Sequence, residues 1–149
     1  MSGLHVLFTV AGGHYVIPAD DVLHMESYTG ATPVPGAPAY VAGLIQVRGR
    51  VLPVVDVRAR FGLPADGAAD RAALGSRVVV VKDGARAVGL LVDGAREVID
   101  LPAEKFHPPP EVVTAGGGAF VSAVAQAGDR LLMLIDHKKV IGEEQRDGQ

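Results

Sequence analysis

The stretch RVVVVKDGARAVGLLV, residues 77–92, indicates the fold class of this protein most directly. Arg77 to Lys82 and Ala85 to Val92 are rich in aliphatic side chains, and they flank the pair Asp83-Gly84. An Asp-Gly pair between two apolar runs is among the strongest short-range signals for a β-hairpin, because glycine adopts the positive φ that a tight turn requires. We therefore predict two antiparallel strands here.

Three more pairs of short apolar runs extend this pattern toward both ends of the chain. Each pair is joined by a turn that contains glycine, as is typical of hairpins. The pairs are Leu4 to Val10 with Tyr15 to Ile17, Leu44 to Arg48 with Val51 to Val55, and Phe120 to Ala127 with Arg130 to Ile135. A further strand is predicted from Ala95 to Leu101, after the turn at Asp93-Gly94. Pro53 is expected on an edge strand or at a bulge, because proline cannot donate a ladder hydrogen bond.

The segments between these strands carry helix and loop signals. Ala19 to Met25 favours a short helical turn, whereas the proline-rich stretch Thr32 to Pro38 is expected to be irregular. Asp56 predicts the N-cap of a short helix that ends near Gly62, and Asp136 predicts the N-cap of another. The connector 65–76, the loop 107–118 and the tail 142–149 are expected to lack regular structure.

A weak internal repeat relates the two halves of the chain. The hairpin that ends at Asp20 resembles the one that ends at Asp93, and Asp56 and Asp136 form a second such pair. Each half then holds about five short strands in hairpin order, which suits two small barrels that share a core. We therefore predict a mainly β protein of paired five-stranded barrels, with approximate subdomains 4–64 and 77–141 and with terminal strands free to cross between them.

Composition excludes several kinds of protein. Apolar residues make up 48% of the 149 residues and aromatic residues only 5%, so the core is expected to consist of Val, Leu, Ile and Ala. The net charge of −3 offers no basic field for nucleic acid, and the absence of cysteine excludes disulfides and thiolate ligands. No apolar run approaches the roughly 18 to 20 residues that span a bilayer. We expect a cytoplasmic protein with no cofactor, no nucleic-acid partner and no direct insertion into a membrane.

Candidate catalytic and metal-ligating residues each have a simpler structural explanation. Asp20, Asp56, Asp93 and Asp136 each follow an apolar run and open a turn or helix, where a carboxylate accepts backbone N–H bonds. The five histidines show no HxH, HExxH or i,i+4 spacing that would bring two onto one metal. No serine lies in a G-x-S-x-G turn, and the glycines at 116–118 lack the Lys and Ser or Thr of a phosphate loop.

Two alternative functions stay open at this point. An acid-base cluster of Asp56, Arg58 and Asp93 would make the protein an enzyme, although nothing in the spacing places the three residues together. A barrel-type module that binds a ligand or a nucleic acid would need aromatic stacking on a basic groove. Four Phe, three Tyr and a negative net charge make such a groove hard to build.

Arg48 differs from these residues, because it closes an apolar strand at a tight reversal around Gly49, where core packing does not demand a charge. It is therefore a candidate binding residue, with a solvated hairpin arginine as the alternative. An apolar groove beside it could be completed by four small or aliphatic residues, although each of them alone is more typical of a core. These residues are Val22, Leu44, Val47 and Gly89.

The longest motif in the chain is GLIQVRGRVLPVVDVR, residues 43–58. It resembles the signature of CheW-like domains, in which a G-h-h-N-h-R-G segment leads into h-h-P-h-h-D-h-R, where h is an apolar residue. Three further segments keep the family's order and spacing: Pro33 to Pro38 with Tyr40, Val88 to Gly94, and Pro108 to Glu111. The resemblance runs from about Leu4 to Ile141 and implies one CheW-like domain of two packed or intertwined five-stranded SH3-like barrels with short helices.

The same resemblance implies a non-catalytic adaptor. Such a protein links the cytoplasmic tips of chemoreceptors to the regulatory domain of a CheA-type histidine kinase in chemotaxis-like signalling. By this resemblance Val22, Arg48, Gly89 and Gly94 fall on positions associated with receptor contact. Gln46, where the family often has Asn, suits a member that serves a non-flagellar system such as surface motility.

Overall fold

The computed structural model describes residues 3–63, 75–110 and 120–142, and these residues form a mainly β structure. The strands are β1 (Leu4–Val10), β2 (Gly13–Pro18), β3 (Val22–Ser27), β4 (Val41–Val47), β5 (Arg50–Asp56), β6 (Arg77–Asp83), β7 (Arg86–Val92), β8 (Gly94–Asp100), β9 (Val121–Ala127) and β10 (Arg130–Ile135). Two short α-helices follow β5 and β10, namely α1 (Val57–Arg60) and α2 (His137–Ile141). Single 3₁₀ turns lie at Ala19–Asp21 and Ala103–Lys105.

The strands form two five-stranded sheets. The order of the first sheet is β8-β1-β2-β10-β9, and the order of the second sheet is β3-β6-β7-β5-β4. Neighbouring strands are antiparallel except for two parallel pairs, β2 with β10 and β5 with β7. The predicted mainly β fold of two five-stranded units with short helices is therefore confirmed.

The two sheets share one connectivity, which explains the internal repeat in the sequence. Strands β1, β2, β8, β9 and β10 of the first sheet correspond in order and direction to β6, β7, β3, β4 and β5 of the second. After each of the hairpins β1–β2 and β6–β7, the chain crosses to the other sheet. The sheets therefore do not coincide with the approximate subdomains 4–64 and 77–141, because each half of the chain contributes strands to both sheets.

The core has three parts, and the largest part lies between the sheets. This central cluster takes Val6, Phe8 and Ile17 from the first sheet and Val55, Val79 and Leu90 from the second, together with other buried residues. A smaller cluster around Val54 and Val78 lies within the second sheet, and another around Leu7 and Leu132 lies within the first. Each sheet thus encloses a small core of its own and shares the central one, as the prediction of barrels with a common core requires.

Two of the four aspartates predicted as caps lie at the N-termini of the two α-helices. Asp56 accepts a hydrogen bond from the backbone N–H of Arg58 at the start of α1, and Asp136 accepts from the backbone at the start of α2. Asp20 lies inside the 3₁₀ turn Ala19–Asp21, whose N-cap makes no side-chain hydrogen bond. Asp93 also accepts a backbone N–H, as predicted for its carboxylate, but from Ala11, which is 82 positions away.

Two local predictions also need correction. The helical turn expected over Ala19 to Met25 ends at Asp21, because the residues from Val22 onward pair with β6 and alternate in burial as an edge strand does. Pro53 lies in β5, an interior strand, rather than on an edge. The register of β5 with β7 begins at Val54, so proline precedes the segment in which a ladder donor toward β7 is needed.

The irregular proline-rich stretch before β4 is confirmed, apart from one bridge between Thr32 and Leu44. Most of the connector 65–76, the loop around the glycines at 116–118 and the tail 142–149 lie outside the described residues.

Candidate functional site

Arg48 occupies the tight turn between β4 and β5. Arg48 and Gly49 have φ values of 52° and 81°, so both turn residues are left-handed, and Arg48 lies within the reversal predicted around Gly49 rather than at the end of the strand. A left-handed conformation costs a residue with a Cβ about 1–2 kcal/mol. The side chain of Arg48 is 67% exposed, and its Nε lies 3.4 Å from Oε2 of Glu26. An ion pair this exposed contributes little to stability, and a side chain that is mostly in solvent packs little. Neither the ion pair nor packing therefore explains an arginine at this position.

A strip of three apolar residues and one glutamine adjoins this turn on one face of the β4–β5 pair. Leu44 lies opposite Pro53 and Gln46 lies opposite Val51, so these four side chains project from the same side of the two strands. Leu44 is 37% exposed and Val51 is 66% exposed. We call these four residues the β4–β5 strip. It places aliphatic surface in solvent immediately before a turn that carries a cation.

A shallow cleft of about 390 Å³ lies beside the same turn. The cleft is lined by residues from the end of β3, from β4 and from the turn, including Glu26, Tyr28, Leu44, Val47 and Arg48. Leu44 and Val47 of the predicted groove therefore do join Arg48. Val22 and Gly89 do not line this cleft.

The remaining predicted site residues lie elsewhere. Val22 begins β3 and packs, partly buried, against the central cluster opposite Val81. Gly89 is buried in β7, where an added Cβ would lie 2.6 Å from Cγ1 of Val78. Gly94 begins β8 in the first sheet and lines a different cleft of about 340 Å³. Of the four residues Val22, Arg48, Gly89 and Gly94, only Arg48 lines the cleft beside the β4–β5 turn.

The structure brings together the residues of the alternative acid-base cluster. Arg58 forms a two-pronged ion pair with Asp93, with Nη2 2.9 Å from Oδ2 and Nε 3.2 Å from Oδ1. Asp56 accepts from the backbone N–H of Arg58 at 3.1 Å, and Ala11 donates its backbone N–H to Asp93 at 2.7 Å. Sequence spacing does not place these residues together, but the fold does. Their hydrogen bonds join α1 to the β1–β2 turn and the β7–β8 junction, which is a structural role.

Two kinds of feature are absent from the described residues. Within the ranges 3–63, 75–110 and 120–142, no group of three or more His, Asp or Glu side chains is placed to hold a metal ion. In that same part of the chain, no helix has the length and apolar character to cross a bilayer. Burial raises the pKa of the Tyr15 phenol, which lies at the boundary of the central cluster and lines neither cleft.

Comparison with known proteins identifies the family. The family model described as CheW-like domain matches residues 4–145. The chain is 31% identical to "Chemotaxis protein CheW" of Rhizobium meliloti, over 95% of this chain and 89% of that protein. It is also 31% identical to "Chemotaxis protein CheW" of Bacillus subtilis, over 93% of this chain and 86% of that protein.

A solved structure extends this similarity to the whole fold. The crystal structure of the scaffolding protein TtCheW from Thermoanaerobacter tengcongensis superposes with a TM-score of 0.83 at 29% identity, and it covers 97% of this chain and 96% of that chain. The family is one of non-catalytic scaffolds, so this protein is not an enzyme. The resemblance drawn from residues 43–58 is thereby confirmed, and the chain belongs to the family of CheW-like domains.

Proposed function

We propose that this protein is a chemotaxis adaptor that couples the cytoplasmic tip of a chemoreceptor to the regulatory domain of a CheA-type histidine kinase. Support comes from the family match over nearly the full chain and from relatives that are named as chemotaxis and scaffolding proteins. The protein would act in the cytoplasm and reach the membrane only through its partners. The receptor and the kinase would bind to different faces of the domain, since a bridge requires two surfaces.

The observation that carries the receptor side of this proposal is the β4–β5 strip next to Arg48. A receptor tip is a helical bundle, and a helix that docks on a protein surface presents apolar anchors with charged side chains at the rim. The exposed Leu44 and Val51 offer the apolar surface, and Arg48 offers a charge that fixes the register. The strained turn holds this arginine where its side chain is available to a partner.

The other residues take different parts in this proposal. Gly89 lies opposite Val54, the residue after Pro53 of the strip, so it would support the strip from beneath rather than touch the receptor. Val22 is partly exposed at the start of the edge strand β3 and remains a proposed contact. Gly94 belongs to the first sheet, so a receptor contact there requires a partner that reaches both sheets.

Calorimetric titration with each partner tests the proposal. The kinase regulatory domain and a soluble receptor-tip fragment are titrated separately into the wild type and into Arg48→Glu. We expect micromolar or tighter binding of both partners by the wild type, and selective loss of receptor binding in the variant. Absence of kinase binding by a folded sample would contradict the adaptor.

Lys105→Glu is the matched control for Arg48→Glu. Both changes reverse one exposed positive charge, but Lys105 lies in the 3₁₀ turn after β8, at the end of that strand opposite Gly94, and lines neither cleft. Lys105→Glu should bind the receptor fragment as the wild type does. Equal receptor binding by all three proteins would leave the adaptor standing and would remove the β4–β5 strip as its receptor site.

A further inference from the structure

The guanidinium of Arg60 contacts segments from both halves of the chain. Its Nε donates to the carbonyl oxygen of Val140 at 2.9 Å, and its Nη2 donates to that of Lys139 at 3.1 Å. The Cζ atom lies 4.2 Å from the ring centroid of Tyr40 and 5.2 Å from that of Phe120. One side chain at the end of α1 is thus bonded to the last turn of α2 and packed on two rings.

The two rings occupy equivalent places in the internal repeat. Tyr40 immediately precedes β4, and Phe120 immediately precedes β9, the corresponding strand of the first sheet. The carbonyl of Tyr40 accepts from the backbone N–H of Asp56, and the carbonyl of Phe120 accepts in the same way from Asp136. Arg60 therefore lies between two positions that the repeat relates to each other.

Arg60 itself has no equivalent in the other half. It follows the capping Asp56 by four positions, and the residue four positions after Asp136 is Val140. Val140 is fully buried in the central cluster and offers Arg60 its carbonyl oxygen. Arg60 thus joins the two related halves from a position that carries a cation in only one of them.

Each helix also makes a polar contact across the boundary between the sheets. α1 follows a strand of the second sheet, yet Arg58 is paired with Asp93, which accepts from Ala11 in the β1–β2 turn of the first sheet. α2 follows a strand of the first sheet, yet Nε2 of His137 lies 3.3 Å from the carbonyl oxygen of Lys82 in β6 of the second. Arg60 links these two crossing helices to each other.

We propose that Arg60 is a positioning residue that holds the two sheets in one mutual orientation. The planar guanidinium donates to two carbonyl oxygens and packs on two rings at once, a combination that the point charge of lysine does not reproduce. Because the carbonyl groups at a helix C-terminus lack partners within the helix, Arg60 also satisfies acceptors that α2 leaves open. Loss of this contact frees the helices to shift relative to one another.

Distance measurement between spin labels tests this inference without any binding partner. The chain contains no cysteine, so labels attach only where cysteine is introduced. Leu131 in β10 and Leu23 in β3 are 58% and 41% exposed, and a pair of labels there reports on the distance between the sheets. A pair at Leu131 and Val98, both in the first sheet, reports on one sheet alone.

We expect Arg60→Lys to broaden the distance distribution between the sheets and to leave the distribution within the first sheet unchanged. Two unchanged distributions would overturn the inference, and so would equal broadening of both, which indicates general loosening. Tyr40→Leu is the second variant in case Arg60→Lys does not fold. It removes one ring and keeps the arginine, so the same selective broadening is expected to a smaller degree, and its absence would count against the proposal.

A second measurement rests on the proposed adaptor function. The affinity for the kinase domain is compared with and without saturating receptor fragment, and the ratio reports the coupling of the two faces. Arg60→Lys should bring this ratio closer to one while each separate affinity stays within the error of the wild type. If neither partner binds the wild type, the adaptor fails while the distance measurement still decides the role of Arg60. An unchanged ratio would show that the orientation of the sheets does not transmit the coupling.

Discussion

Replacement of Gly89 by alanine should destabilise the protein because the new methyl group has no space. A Cβ at this position would lie 2.6 Å from Cγ1 of Val78, 3.4 Å from Cγ2 of Val54 and 3.5 Å from Cδ1 of Leu52. These three side chains are 0%, 0% and 3% exposed, so none moves aside into solvent. Overpacking of this kind typically costs about 1–3 kcal/mol. Urea denaturation followed by circular dichroism should show a lower midpoint with an unchanged slope.

Two further variants separate packing from other effects of this change. Gly94→Ala is the matched control, since among the described residues its Cβ would meet only the hydroxyl oxygen of Thr9, at 3.2 Å. It should change the free energy of unfolding much less. Gly89→Ala should also cost less in a Val78→Ala background, because the clashing methyl group is gone. An unchanged midpoint for Gly89→Ala, or an equal cost in both backgrounds, would refute the packing explanation.

Three other predictions follow from single contacts. Asp56→Ala should lower the free energy of unfolding by about 0.5–2 kcal/mol, because α1 loses its N-cap acceptor. Asp56→Asn should retain most of the stability, because the amide oxygen still accepts the hydrogen bond. Equal denaturation midpoints for the two variants would contradict this role. A double-mutant cycle on Arg58 and Asp93 should give a coupling of about 0.5–3 kcal/mol, since the side chains are only 14% and 27% exposed; a value near zero would mean that the pair is incidental. Burial raises the pKa of Tyr15 above 10.0, so the free energy of unfolding should fall as the pH rises from that value through the folded-state pKa. In denaturation curves measured across alkaline pH, Tyr15→Phe should lack this contribution to the fall in stability.

Local patterns in the sequence predicted the strands of the four hairpins and β8, because each hairpin depends on neighbouring residues, but they missed β3. The β6–β7 turn consists of Gly84 and Ala85, one position after the predicted pair Asp83-Gly84, and the apolar runs on either side suffice to place the two strands. The same holds for the caps at Asp56 and Asp136, whose carboxylates accept from residues two or three positions later. Such contacts leave a signature within a few residues of the chain.

The exchange of strands between halves had no such signature. Whether β3 joins the sheet of β1 and β2 or the other sheet is decided by its pairing with β6, far along the chain. The ion pair between Arg58 and Asp93 depends on this crossing, and it spans 35 positions. Sequence spacing therefore gave no reason to place these residues together.

The candidate site was predicted only in part, for a related reason. Arg48 was identified because a charge at the end of an apolar strand is visible in the sequence, and the structure shows it exposed in a strained turn. Gly89 was grouped with it by family resemblance, but its environment is a buried contact with Val78. Val51 was predicted only as part of a strand. Its 66% exposure could not be predicted, because the exposure of one strand face depends on what the rest of the fold places over it.

A three-protein sedimentation experiment tests the central claim most directly. The kinase regulatory domain and the receptor-tip fragment are mixed with the wild type, with Arg48→Glu or with no third protein, and each mixture is analysed by sedimentation velocity. The adaptor predicts a species that contains all three proteins with the wild type, a kinase–adaptor species alone with Arg48→Glu, and no joint species when the adaptor is omitted. Failure of folded wild type to bring the kinase domain and the receptor fragment into one species would contradict the account.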